Sequence, residues 1–313
     1  MSHSRIFYID IARTISMLWI VGVWHLFPYT GYYLASKNYC YSFTYISLGT
    51  FFFLSSYLIS KKYHFSNWRE ALTFCKKRFI RFWPLFAVAS ILFLYGNTLQ
   101  QTVLGLLGLS PFWGPQPGTL WFMATLMFFY IITPLLASEN QMLSITTFLV
   151  VLCLGFLMQY FFHSLDTRIY FYFPVYYSGI IAGKLGFEIK TKYWYIILFL
   201  YLLFFVIVHY YGLGYAILIS KIIGIYILLL LSKIISSISN NKLNNLVTKV
   251  GYASLCVYLF HRPFYHLGLI FVQFSSPLTI LLYLWLIVLP ITIICCYFVQ
   301  KVYDSIVNKV TAK

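Results

Sequence analysis

The segment that decides the fold is Ile6-Phe-Tyr-Ile-Asp10-Ile-Ala-Arg13-Thr-Ile-Ser-Met-Leu-Trp-Ile-Val-Gly-Val-Trp-His25. It is long and apolar enough to cross a bilayer as one helix, yet it carries a carboxylate, a guanidinium and an imidazole. A charged side chain at the centre of a membrane helix costs about 3 kcal/mol, so such residues are rare and typically functional. The chain has only 6 acidic residues, and one of them lies here. We therefore expect the chemistry to involve this helix.

The composition of the whole chain is that of a polytopic membrane protein. Hydrophobic residues make up 61 %, charged residues 9 %, and the mean hydropathy is +0.83, whereas soluble domains are about 25 % charged. The net charge is +16. It does not indicate nucleic-acid binding, because the basic residues lie in short loops between apolar runs, as membrane topology requires. We expect membrane lipids as partners and no nucleic acid.

Neither a metal site nor a cleavable leader is indicated. The 6 cysteines show no metal-ligand or redox spacing. The first apolar helix lacks a small-residue cleavage site, so we expect it to remain in the mature protein.

Ten apolar runs have the length of membrane helices, about 20 residues each. They lie near 6–27, 42–60, 80–98, 119–138, 142–162, 168–187, 192–211, 214–234, 252–272 and 277–300. With the N-terminus inside, most of the 22 Lys and Arg fall on the cytoplasmic side, as the positive-inside rule requires. We therefore predict an all-α, polytopic membrane protein with about ten transmembrane helices and both termini in the cytoplasm.

A long cytoplasmic connection, residues 61–79, has an amphipathic pattern. Its apolar residues recur at roughly helical spacing, at Phe65, Trp68, Leu72 and Phe79, while Phe74 falls on the opposite face. We predict a helix lying along the inner surface of the membrane.

A second long connection, residues 99–118, is uncharged and lies on the outer side. It ends in three prolines and two glycines after Ser110. This composition predicts a re-entrant or lid-like loop that resists regular helix. We find no internal repeat and treat residues 1–313 as a single transmembrane domain.

Five motifs follow one another between positions 9 and 263. They are Ile9-Asp10-Ile-Ala-Arg13 with His25, Phe51-Phe-Phe-Leu-Ser-Ser-Tyr-Leu-Ile59, Lys76-Lys-Arg78-Phe-Ile-Arg81-Phe-Trp-Pro84, Leu120-Trp-Phe-Met-Ala-Thr-Leu-Met-Phe-Phe-Tyr130-Ile-Ile-Thr-Pro134 and Tyr258-Leu-Phe-His261-Arg-Pro263. In this order they resemble the acyltransferase-3 family, integral-membrane O-acyltransferases that modify bacterial surface glycans. The resemblance implies an acetyl-CoA-dependent O-acetyltransferase of the bacterial cytoplasmic membrane, with a surface polysaccharide or its lipid-linked precursor as acceptor. It names neither the sugar nor the oligomeric state.

The chain departs from the family's pattern in three places. Eleven residues separate Arg13 from His25, one more than is usual. Twelve steps of an α-helix leave the two side chains about 120° apart, whereas eleven steps leave them about 20° apart. A π-bulge in the first helix would restore the alignment, and such bulges occur at functional sites. Position 56 is Ser instead of Gly, and Ala124-Thr125 stands where many members have an acidic residue.

The first helix supplies the candidate catalytic residues. His25 is near its outer end, and an imidazole has an unperturbed pKa near neutrality. As a neutral base it would take the proton from a sugar hydroxyl that attacks a thioester; a covalent acyl-histidine is the other route. Asp10 and Arg13 are three residues apart on one helix face and can pair. They would support catalysis, or they form a structural ion pair.

The candidate donor site is basic. Arg78 and Arg81, with Lys77, lie at the cytoplasmic end of the third predicted span. They would bind the 3′-phosphate and pyrophosphate of coenzyme A, to which Arg offers bidentate contacts. The alternative is that they serve membrane topology alone.

Further candidates lie in the later spans. His261 and Arg262 fall within the ninth span, where a buried Arg needs a partner or a water-filled cavity, and Asp10 is a candidate partner. As the resemblance implies, Trp121, Tyr130, His261 and Arg262 would contact the substrate or line the acyl tunnel. For Trp121 and Tyr130 the alternative is ordinary aromatic packing. A rival function is a glycan exporter or flippase that uses the same charged residues to handle a polar sugar chain.

Overall fold

The computed structural model describes residues 6–30, 38–113, 117–162, 166–270, 272, 274 and 276–311. Every regular element in these ranges is a helix, which confirms the all-α prediction. The α-helices are α1 (Phe7–Trp19), α2 (Phe27–Thr30), α3 (Asn38–Lys62), α4 (Trp68–Leu92), α5 (Leu99–Leu106), α6 (Trp121–Leu136), α7 (Gln141–Phe162), α8 (Arg168–Lys184), α9 (Trp194–Tyr210), α10 (Gly214–Ile238), α11 (Asn241–Ile270), α12 (Pro277–Tyr283) and α13 (Leu289–Thr311). A first π-turn spans Ile20–Trp24 and a second π-turn spans Leu284–Val288.

Five helical segments among the described residues are long and apolar enough to cross a membrane. They are Phe7–Thr30, Tyr39–Lys62, Gln141–Phe161, Ala216–Ile238 and Pro277–Lys309, and two shorter apolar helices are Trp121–Leu136 and Trp194–Tyr210. The chain is therefore a membrane protein by the length and composition of its helices. The count of ten spans and the cytoplasmic position of both termini stay predictions.

The chain divides into two compact units. Unit one comprises Met1–Phe51 and Glu188–Lys301. Within it α1 packs against α10 and α11, and α9 packs against α10. The approach of α1 to α11 is close, because a Cβ at Gly251 would lie 3.1 Å from the carbonyl oxygen of Asp10. Small residues permit such approaches between membrane helices.

Unit two comprises Phe52–Phe187 and Val302–Lys313. Its core is aromatic: the ring of Phe52 lies 4.6 Å from that of Phe122, 5.3 Å from Phe129 and 4.9 Å from Tyr172. Phe129 also contacts Tyr176 at 5.0 Å. Aromatic pairs at these separations add stabilisation beyond their buried area.

The connection at residues 61–79 differs from its prediction in two respects. Residues 68–79 are not a separate helix, because α4 continues without a break to Leu92. Within this segment Phe74 is the buried aromatic residue, whereas Trp68, Leu72 and Phe79 are more than half exposed, at 68 %, 56 % and 51 %. Phe65, the first residue of the predicted apolar stripe, is buried, at 6 % exposure. The other three residues of the stripe face away from the protein, and their position on the membrane surface stays a prediction.

The segment predicted as an outer loop also differs from its prediction. Residues Leu99–Leu106 form α5, so the expectation that this segment resists regular helix is wrong for its first half. A capping box starts the helix: Thr98 Oγ1 accepts from the N–H of Gln101, and the N–H of Thr98 donates to Gln101 Oε1. The prolines and glycines follow this helix, and residues 114–116 lie outside the described residues.

Candidate functional site

The first π-turn places His25 at the end of the first membrane-length helix. The N–H of His25 donates to the carbonyl of Ile20 at 2.9 Å, a bond that spans five residues, where an α-helix spans four. The turn therefore absorbs one residue, and the segment from Arg13 to His25 turns as a shorter α-helix would. The π-bulge that would restore the alignment of Arg13 and His25 is therefore present.

His25 and His261 lie ring against ring. Their centroids are 4.8 Å apart and their planes differ by 5°. The ring centroid of Tyr258 is 6.3 Å from that of His25 and 6.0 Å from that of His261. Tyr265 meets His261 edge-on, with ring centroids 5.7 Å apart. His261 is fully buried and His25 is 9 % exposed. The structure thus brings the candidate base into direct contact with a residue that the sequence placed only along a tunnel.

The nitrogens of the two rings differ in their hydrogen bonds. His261 Nδ1 lies 2.8 Å from the carbonyl oxygen of Tyr258 and 3.2 Å from that of Val257. A carbonyl oxygen only accepts, so Nδ1 is the protonated nitrogen. The Nε2 of His261 and the Nδ1 of His25 are buried, with no hydrogen-bond partner in the described part of the chain. Since buried polar atoms are normally satisfied, these two nitrogens are candidates to contact a reacting group.

Arg262 follows His261 in the chain and contacts Tyr29. Its guanidinium carbon is 5.3 Å from the centre of the Tyr29 ring, a cation–π contact. Tyr29 follows His25 in α2, whereas Asp10 lies in the first turns of α1. The expected pairing of Arg262 with Asp10 is therefore wrong.

Asp10 and Arg13 lie apart from the histidine pair. Asp10 is 3 % exposed and packs at the level of Gly251, where Thr14 Oγ1 donates to the carbonyl of Val247 at 3.3 Å. At 1.5 Å per residue, Asp10 is about 20 Å from His25 along the helix, so it does not orient the imidazole directly. The ion pair of Asp10 with Arg13 stays a prediction.

In unit two, the guanidinium of Arg78 lies over two aromatic rings that meet edge-on. Its guanidinium carbon is 5.3 Å from the ring centre of Phe74 and 5.4 Å from that of Tyr130. Tyr130 is buried and also stacks on Phe82 at 5.3 Å. Contacts with ring faces use none of the five N–H donors of Arg. Tyr130, expected along a tunnel, therefore belongs to the surroundings of Arg78.

A cavity of about 410 Å³ lies beside Phe74, with a volume in the range of small-molecule sites. It is lined by Tyr63, Asn67, Arg69, Glu70, Thr73, Phe74 and Lys77. Lys77 therefore lines a cavity, and Arg69 brings a second cation to it. Arg81 is exposed and lies beside Tyr303, outside this lining. Of the three basic residues of the predicted donor site, Lys77 lines the cavity and Arg78 contacts Phe74, which also lines it.

Trp121 belongs to a different cluster of unit two. The guanidinium carbon of Arg168 lies 3.9 Å from its ring centre, and Tyr172 stacks on it at 5.8 Å. Arg168 Nε donates to both carboxylate oxygens of Asp166, at 2.9 and 2.8 Å. Trp121 thus supports an ion pair in this structure, and its place along an acyl tunnel stays a prediction.

Three residues of these sites were not singled out by sequence reasoning. Tyr265 lies one turn after His261, so its helical spacing from the late motif was a usable signal. Arg69 is about two turns ahead of the basic motif, at eight residues from Lys77 on the same helix. Tyr63 had no signal, because it reaches the cavity from the segment between α3 and α4.

Comparison with known proteins tests the resemblance that the five motifs indicate. Comparison with curated proteins and with solved structures found no match. The sequence model of one family, described as an acyltransferase domain, matches residues 6–301, nearly the whole chain. The protein is therefore a member of the acyltransferase-3 family and a membrane acyltransferase.

Proposed function

We propose that this acyltransferase moves acetyl from cytoplasmic acetyl-CoA to a hydroxyl of a cell-surface polysaccharide or its lipid-linked precursor. The supporting observation is the stacked pair of His25 and His261, with one buried, unpartnered nitrogen on each ring. Transfer to a hydroxyl needs a base that removes its proton in the transition state, and imidazole is the commonest such group. The location would be the bacterial cytoplasmic membrane.

In the proposed reaction His25 is the base. The acceptor hydroxyl gives its proton to the imidazole while its oxygen attacks the thioester carbonyl carbon. The carbon–sulfur bond then breaks, and coenzyme A leaves as a thiolate that takes up the proton. His261 lies against the ring of His25 and would keep it in the orientation that this transfer needs.

A covalent route uses the same residue. His25 would attack the thioester itself, and the acceptor would then take acetyl from the acyl-histidine. Brief reaction of the protein with acetyl-CoA in the absence of acceptor separates the routes, because only the covalent route leaves acetyl on His25 in the mass spectrum.

The donor would bind at the cytoplasmic side of unit two. Arg78 keeps its N–H donors while Phe74 and Tyr130 hold its guanidinium, and Arg–phosphate bonds are strong and directional. The adjoining cavity adds Lys77 and Arg69 as cations, and Tyr63 as an aromatic surface for adenine. Arg81 would serve as an outer contact for the phosphates. Asp10 and Arg13 would support the first helix.

One experiment tests the proposal directly. Purified protein is mixed with acetyl-CoA and acceptor glycan, and free thiol is measured together with acetyl on the glycan. Equal amounts of both support acetyl transfer. Glycan transport in vesicles with no thiol release would show the rival exporter instead.

A further inference from the structure

The first π-turn leaves the carbonyl of Val21 without the partner that it would have in an α-helix. In an α-helix the carbonyl of Val21 would accept from the N–H of His25, but that N–H bonds to Ile20. The next N–H, of Leu26, bonds to Val23. An unsatisfied carbonyl in the membrane interior is costly, so a π-turn there needs a donor from elsewhere.

Tyr265 supplies that donor. Its hydroxyl donates to the carbonyl of Val21 at 3.1 Å, and its side chain is fully buried. The same ring meets His261 edge-on at 5.7 Å and Tyr29 at 5.7 Å. One side chain therefore contacts the backbone ahead of His25 and the ring that stacks on His25.

The turn is also closely packed at Gly22. A Cβ at Gly22 would lie 3.1 Å from Leu289 Cδ2 and 3.2 Å from Trp285 Nε1. Trp285 belongs to the second π-turn and Leu289 begins α13. The first π-turn is thus packed at Gly22 and hydrogen-bonded at Val21 by Tyr265, which leaves little room for it to change register.

We propose that Tyr265 is a positioning residue for His25. Its hydroxyl stabilises the π-turn, and the π-turn in turn sets the ring of His25 against His261. Tyr265 does not touch the reacting atoms. The role in catalysis rests on the proposed function, whereas the positioning of His25 is a statement about the fold of this segment.

The first test is Tyr265→Phe, which removes only the hydroxyl. Because small misplacements of a catalytic group have large effects, we expect kcat for acetyl transfer to fall by about tenfold to a hundredfold, with KM for acetyl-CoA unchanged. The matched control is Tyr283→Phe, whose hydroxyl donates to the carbonyl of Gly268 at 3.2 Å, and which should keep its kcat. Equal losses in both variants, or full kcat in Tyr265→Phe, would overturn the proposal.

The second test does not depend on activity. Diethyl pyrocarbonate modification of single histidines is followed by mass spectrometry, with His209 as reference because Ser42 and Phe205 hold its two ring nitrogens. Modification of His25 should rise several-fold in Tyr265→Phe and stay constant in Tyr283→Phe. If His25 reacts equally in all three proteins, Tyr265 does not position it. A wild type without thiol release contradicts the proposed function, and the modification rates then decide the positioning alone.

Discussion

His25 and His261 face each other as stacked rings, with centroids 4.8 Å apart and planes 5° from parallel. His25 lies at the end of the first π-turn, which continues α1, and His261 lies in α11. Two further contacts show the relative direction of these helices. Asp10 lies level with Gly251, and Val21 meets Tyr265. From the first contact to the second, the residue number rises by 11 in the first helix and by 14 in α11. The contacts advance in the same direction along both helices, which means that the helices run parallel. This parallel register is what makes the histidine pair possible.

Replacement of His25 by Ala should abolish most acetyl transfer. General-base catalysis contributes about 10² to 10⁴ in rate, so kcat should fall by a factor in that range while the protein reaches the membrane in normal amount. The measurement is O-acetylation of surface glycan, with protein abundance checked alongside. His266→Ala, at an exposed histidine of α11, is the control and should retain activity. Retained acetylation in His25→Ala would remove this residue from the mechanism.

Replacement of His261 by Asn separates its two nitrogens. An amide N–H can still donate to the carbonyl of Tyr258, but the stacking surface and the second nitrogen are lost. We expect kcat to fall by about tenfold or more, with KM for acetyl-CoA unchanged, because the ring of His25 loses its support. Steady-state kinetics of purified protein checks this, and full kcat in His261→Asn would show that the stack has no part in catalysis.

The donor site predicts effects on KM instead. A charge-assisted hydrogen bond is worth about 1.5–3 kcal/mol, so Arg78→Gln should raise KM for acetyl-CoA by roughly tenfold to a hundredfold. Arg69→Gln and Lys77→Gln, at the exposed cavity, should have smaller effects in the same direction. Lys76→Gln serves as the control, since Lys76 is exposed and lies outside the cavity lining. An unchanged KM in Arg78→Gln would exclude Arg78 as a contact of the coenzyme A phosphates.

Local sequence patterns predict some features of this structure and miss others, for physical reasons. The bulge between Arg13 and His25 was predictable, because one extra residue rotates a helix by about 100° and must be absorbed. The helix after Thr98 was also predictable from the capping-box pattern of Thr98 and Gln101, although the prediction missed it. The buried face of α4 was not predictable, because lipid and the protein interior are both apolar. Hydrophobic spacing therefore cannot tell that Phe74 is buried while Trp68 is exposed.

Pairings across the chain were beyond local rules. Arg262 was paired with Asp10 on charge alone, yet the parallel register of α1 and α11 puts it beside Tyr29. The stack of His25 on His261 depends on the same register. Both motifs were visible in the sequence, but their relation needed the relative position of two helices that are more than 200 residues apart in the chain.

Two glycines in α8 predict a packing effect in unit two. A Cβ at Gly183 would lie 2.6 Å from the carbonyl oxygen of Tyr57, and one at Gly179 would lie 2.5 Å from that of Phe53. Ser56, where the family has Gly, therefore packs against a glycine. Gly183→Ala should destabilise the protein by about 1–3 kcal/mol, as overpacking does, and lower its Tm in detergent. Gly214→Ala, which would meet nothing within 4 Å, should leave Tm unchanged; equal Tm values in both would contradict the close packing.

The first π-turn predicts opposite outcomes for losing and gaining one residue. Deletion of Val23 removes the residue that the turn absorbs, so an uninterrupted α-helix would bring His25 back to the same face of α1. Insertion of one Ala after Val23 adds a second residue, and the ring would rotate by about 100° away from His261. We expect the deletion to retain most acetyl transfer and the insertion to lose it, as measured by thiol release from acetyl-CoA at matched protein amounts. In the deletion variant the carbonyl released by the π-turn is satisfied within the helix, so adding Tyr265→Phe should cost little further activity. Loss of activity in the deletion as complete as in the insertion would mean that the bulge itself, and not the direction of His25, is what the site requires.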